Sequence, residues 1–172
     1  MFEIILQDMQ EPIFYVKYAL IISLSVTAIV TMLRFCWTSR WTWRFPLKWM
    51  VILTYLIVLL QIALLSREPG SRTTTNLIPF STFGTTNQSR AYEIENIIMF
   101  LPMGILLPIL CKPLRKLRWI APVMLLISIG IEVTQFITER GYMQTDDVIM
   151  NVLGGGIGFV IFLLIQKMFC KK

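Results

Sequence analysis

The sequence predicts an all-α integral membrane bundle of about five transmembrane helices, with its N-terminus outside and its C-terminus cytoplasmic. Three observations carry this. Of 172 residues, 56% are hydrophobic and only 15% charged, and the mean hydropathy is +0.69, which leaves too little polar surface for an ordinary soluble domain. Five segments are apolar over lengths that approach or exceed the ~17 to 25 residues a helix needs to cross ~30 Å of hydrocarbon. The basic residues collect in alternate connections between those segments.

The first span runs roughly from Ile13 to Phe35 and the second from Trp49 to Leu65. No cleavable signal peptide is expected, because the N-terminus is acidic and the first apolar run is long enough to stay as an anchor. The third, Ile94 to Leu110, is uninterrupted only from Ile97 and contains Pro102 and Pro108, so taken alone it also fits a re-entrant hairpin. The fourth runs from Trp119 to Ile137 and the fifth from Val148 to Phe169.

Charge decides for five crossings. Arg34, Arg40, Arg44 and Lys48 flank the first connection, Lys112, Arg115, Lys116 and Arg118 the third, and Lys167, Lys171 and Lys172 the C-terminus: eleven basic residues and no acid. The other gaps, with Glu132 at its span's outer end, hold all ten acids. A re-entrant third segment would put the bases of the third connection outside, against the positive-inside rule. The net charge of +6 is thereby an orientation signal beside an anionic inner leaflet and calls for no nucleic-acid partner. Cys36, Cys111 and Cys170 all fall at predicted cytoplasmic ends, where a disulfide framework is not expected.

The chain is read as a single membrane domain in two parts, residues 1–65 with two spans and a basic loop, and residues 66–172 with an outer loop and three spans. The loop from Ser66 to Glu93 is rich in Thr, Ser, Gly and Asn, yet holds an apolar island of Leu77, Ile78, Pro79, Phe80 and Phe83. An island of that kind is expected to pack against the bundle or to dip into the membrane interface. The shorter outer loop, Thr138 to Asp147, carries Glu139 and Arg140 before an acidic pair.

Polar residues gather at the outer ends of three spans. Glu132 lies about 20 Å up the fourth span, counting ~1.5 Å per residue from Trp119. Gln135 and Ser128 share its helical face, which predicts a stripe turned into the bundle. On the fifth span Asp147 and Asn151 are one turn apart, followed on the same line by Gly154 and Gly158, and on the third span Asn96, Phe100 and Gly104 repeat the device. Glycines four apart admit a close helix neighbour and bring such groups within hydrogen-bonding reach. Structural explanations stand beside functional ones. Asp146 or Thr145 can cap the fifth helix while Asp147 answers its dipole. Asn96 and Asn151 can be interhelical glue, the glycines packing, and Gln61 either. Glu132 is the strongest functional candidate, since an ionisable group within a span calls for a partner, here Arg67 or Arg140.

These residues fall in motifs: NLIPF (Asn76 to Phe80), NIIMFLPMG (Asn96 to Gly104), IEVTQF (Ile131 to Phe136), Arg140, and DDVIMNVLGG (Asp146 to Gly155). In order and spacing they resemble the VanZ-like family of bacterial membrane proteins, from about Arg67 to Phe169. The resemblance implies a multi-pass protein of the bacterial cell membrane, linked to resistance to teicoplanin and related glycopeptides. It also implies motif positions at Arg67, Asn76, Asn96, Glu132, Gln135, Arg140, Asp147 and Asn151.

Two readings of the site follow. As a binding protein, the chain would clamp an anionic head group of a membrane lipid or lipid-linked envelope precursor with Arg67, Asn76, Asn96, Gln135, Arg140 and Asn151, because a guanidinium pairs both oxygens of a phosphate or carboxylate. As an enzyme, it would act on such a substrate with Glu132 or Asp147 as the catalytic group, Glu132 serving as general acid or base. A variant holds Mg²⁺ or Ca²⁺ on Glu132, Asp146 and Asp147; otherwise no cofactor is called for. With no histidine, and with the cysteines at the opposite end, zinc sites and Cys-His or Ser-His chemistry are not expected. Transport is disfavoured, since the polar residues stop in the outer part of the membrane.

Overall fold

The computed structural model describes residues 3, 10–38, 43–65, 69–70 and 74–169. Its architecture is helical, and among the described residues five helices are long and apolar enough to cross a membrane: Phe14–Thr38, Phe45–Leu65, Asn87–Leu110, Leu117–Ile137 and Thr145–Phe169. The chain divides into two compact units with the boundary after Ser66.

The first unit is a helical pair, α1 (Gln10–Thr38) and α2 (Arg44–Leu60), the latter running on into a π turn at Gln61–Leu65. On α1, Ala19, Ser23, Thr27 and Thr31 recur every fourth residue and are buried, a small-residue seam that admits α2 closely. Ser23 Oγ lies 2.6 Å from Thr54 Oγ1. At the far end the Arg34 guanidinium stacks 4.1 Å from the Phe45 ring centre. The remaining faces carry exposed Ile, Leu, Val and Met, as helices bathed in lipid should.

The second unit holds β1 (Thr75–Asn76), α3 (Asn87–Leu110), a 3₁₀ turn (Lys112–Arg115), α4 (Leu117–Ile137), β2 (Met143–Gln144) and α5 (Thr145–Phe169). Helix α3 starts well before the apolar span does, because Thr86 and Ser89 form a capping box that begins the helix in polar sequence. Neither proline ends it: the carbonyl of buried Pro108, in the last turn, accepts a 3.0 Å hydrogen bond from Arg115 Nε. The two short strands pair in parallel, Thr75 with Met143 and Asn76 with Gln144, and so tie together the two loops at the polar end of the unit.

The defining contact is α3 against α5. A β-carbon at Gly154 would overlap the carbonyl oxygen of Ile97, one at Gly158 that of Leu101, and one at Gly104 that of Gly155. The helices therefore cross backbone to backbone, as the spacing of Gly104, Gly154 and Gly158 predicts. Away from the polar end, Ile120 and Met124 of α4 pack on Phe159 and Phe162 of α5.

Gly154→Ala or Gly158→Ala should lower the thermal midpoint of the detergent-solubilised protein, corresponding to about 1 to 3 kcal/mol of overpacking. Gly130→Ala and Gly156→Ala, where an added β-carbon meets nothing within 4 Å, should leave it unchanged or raise it.

Candidate functional site

The N-terminal ends of α3 and α5 and the C-terminal end of α4 meet at one end of the second unit, and the polar motif residues converge there. Because α3 and α5 touch backbone to backbone, Asn96 reaches Asp147 and donates from Nδ2 to Oδ1 at 2.9 Å. One turn deeper, Asn151 is only 1% exposed and donates to Ser128 Oγ of α4 at 3.0 Å.

The stripe on α4 faces inward as predicted: Ser128, Glu132 and Gln135 are all buried. Glu132, 2% exposed, accepts a hydrogen bond from the Gln144 backbone N–H at 3.0 Å. It thus meets strand β2, whose register places Gln144 beside Asn76. Asn76 in turn accepts from the Ile78 N–H at 3.3 Å, closing the turn after β1. Helix α4 ends with Glu139 in the left-handed region at φ 56°. The Arg140 N–H then bonds back to the Gln135 carbonyl at 2.8 Å and that of Glu139 to Phe136 at 3.1 Å, a Schellman closure without its usual glycine. Arg140 is half-buried directly after this turn. Arg67 lies outside the described residues.

The acidic pair divides its work. Asp146 is 3% exposed and holds the preceding loop with both oxygens: Oδ1 accepts from the Phe80 N–H at 2.5 Å, and Oδ2 from the Thr82 N–H at 3.0 Å and hydroxyl at 2.6 Å. Its side chain is thereby a brace for a loop 66 residues earlier, in place of the helix cap considered from sequence. Glu93 of α3 adds a second brace by accepting from the Gly84 N–H at 2.7 Å.

Between this loop and the first turns of α3 and α5 lies a cavity of about 350 Å³. Four carboxylic acids, Glu93, Glu95, Asp146 and Asp147, line it together with Asn96, Gln144 and the hydroxyls of Thr82, Thr86, Ser89, Tyr92 and Tyr142. No lysine or arginine is among its described lining residues. Of the site residues named from sequence, Asn96, Asp146 and Asp147 reach its wall; Glu132, Gln135, Asn151, Asn76 and Arg140 are not among its lining. Among the described residues, no group of three acids or thiols is placed to hold a metal ion. Thr82, Glu93, Glu95, Tyr142 and Gln144 are among the wall residues that sequence reasoning passed over. Their only advance signal was a hydroxyl-rich loop lying next to acids at the head of an apolar span.

Taken together, these features describe a multi-pass α-helical membrane protein with one polar, acid-lined end. The sequence model of the VanZ/LLP1 family matches residues 45–166, and the chain belongs to that family. The match begins in α2, earlier than the motifs near Arg67. Protein VanZ of Enterococcus faecium is 33% identical over 125 residues, 72% of this chain and 74% of that protein. No solved structure matches the chain significantly.

Asp146→Ala should release the loop while leaving α3 and α5 helical. Hydrogen bonds to a charged acceptor contribute about 1.5 to 3 kcal/mol each, so exchange protection at the Phe80 and Thr82 amides should fall by about a hundredfold or more by hydrogen–deuterium exchange.

Proposed function

We propose that this protein binds the polar head of an envelope lipid or lipid-linked envelope precursor in the acid-lined cavity, on the face that the distribution of basic residues assigns to the cell exterior. It acts by occupying that head group, without turnover. The observation that carries the reading is the cavity wall of four carboxylic acids, hydroxyls and amides. Such a wall favours an ammonium group or a sugar over the purely anionic group expected from sequence. VanZ-like proteins are linked to teicoplanin and related glycopeptide resistance, and a sheltered head group would change how such an antibiotic reaches its lipid-anchored target.

The catalytic alternative has less support. Glu132 is buried, engaged with the Gln144 backbone and not among the cavity's lining residues, which favours a positioning role over proton transfer to a bound substrate.

In nanodiscs, native mass spectrometry should show the protein retaining ethanolamine-headed lipid over glycerol-headed lipid of the same chains. Asp147→Asn or Glu95→Gln should weaken that preference about tenfold, the loss of one charged contact of about 1.4 kcal/mol. A preference that survives both substitutions, or that favours the anionic lipid, would refute the reading.

A further inference from the structure

The apolar island of the loop does not pack into the protein. Leu77 is 61% exposed, Ile78 70%, Phe80 60% and Phe83 50%, all within one short segment. The loop is nonetheless held in one shape. Asp146 grips Phe80 and Thr82, and Glu93 grips Gly84. Phe80 itself is kept in the left-handed region at φ 62°, which a bulky residue adopts only when its surroundings impose it. The rings of Phe80 and Phe83 meet edge to face at 6.1 Å. The loop is also two-sided, since Thr82, Thr85 and Thr86 line the cavity and the four large apolar residues do not.

We propose that residues 77–83 form a membrane-interface anchor, with Leu77, Ile78, Phe80 and Phe83 embedded in the lipid leaflet that surrounds the polar ends of α3 and α5. The brace to Asp146 fixes the level: it joins the loop to the first turn of a span, so these side chains lie where the lipid-exposed surface of the helices ends, and the apolar surface continues across the boundary. Arg90, exposed in the first turn of α3 with its Nε on the Gly84 carbonyl at 3.2 Å, puts a cation beside the same loop at phosphate depth. A rigid loop holding four bulky apolar groups outward is costly in water and favourable at the boundary of head groups and acyl chains. The anchor does not require the cavity to hold anything. If the cavity binds a lipid head, which rests on the preceding reading, the anchor sets its mouth at head-group level.

The test uses the full chain in liposomes, with Cys36, Cys111 and Cys170 replaced by serine and a spin label at Leu77→Cys or Ile78→Cys. Collision with oxygen should exceed collision with a water-soluble nickel chelate at both sites, at a depth of ~5 to 10 Å below the phosphates, while a label at Asn87→Cys should show the reverse. Nickel access at Leu77 and Ile78 equal to that at Asn87 would place the loop in water. Immobilised labels shielded from both reagents would place it against a second copy or another protein. Either result overturns the anchor. A second measurement needs no substitution: photolysis of a diazirine-acyl phosphatidylcholine should label the 77–83 segment of the native chain, and labelling of the spans without it would also overturn the proposal. A head-group preference that survives Asp147→Asn would overturn the preceding reading and leave the anchor standing, so the two ideas fail separately.

Discussion

The site rests on the backbone contact between α3 and α5. Without β-carbons at Gly104, Gly154 and Gly158, carbonyls of one helix lie against the other, and short side chains then suffice to bridge them. Asn96 and Asp147 meet at 2.9 Å because of this approach, just above the first glycine contact. In lipid, where association gains nothing from excluding water, close packing of small residues and a few polar bridges are what hold helices together. The polar end of the unit is consequently built on the same contact that holds the helices.

The second constraint is the satisfaction of irregular backbone near a membrane. Loops and strand ends there cannot rely on water for every N–H group. In this chain carboxylates supply the acceptors, with Asp146 accepting from Phe80 and Thr82, Glu93 from Gly84 and Glu132 from Gln144. Each spans two elements, so Glu132 and Asp146, which the sequence marks as candidates for function, also fix the path of the loops. Asp147 and Glu95 complete the acidic wall on either side of the α3–α5 contact, and the head-group reading leans on their charge.

The loop before α3 links these features. Its hydroxyls face the cavity and its large apolar groups face away, and its shape is set by bonds to acids on α3 and α5. A loop braced in this way can separate two environments, a polar hollow and a lipid leaflet, within one short stretch of chain.

The membrane class, the five spans, the inward stripe of Ser128, Glu132 and Gln135, and the glycine line that brings α3 to α5 are all legible in the chain before it folds. These depend on composition and on periodicity within one helix, which are local properties. The true start of α3 was also local, written in Thr86 and Ser89, but the apolar span masked it. Folding in three dimensions is what makes Asp146 a brace, brings Glu132 to the Gln144 backbone, sets Asn76 beside Gln144 in a short parallel ladder, and lets Glu93 and Glu95 share a cavity with Asp147. All but the shared cavity join separate segments of the chain through backbone hydrogen bonds, which any residue type but proline can donate and which therefore leave no mark in the pattern of side chains.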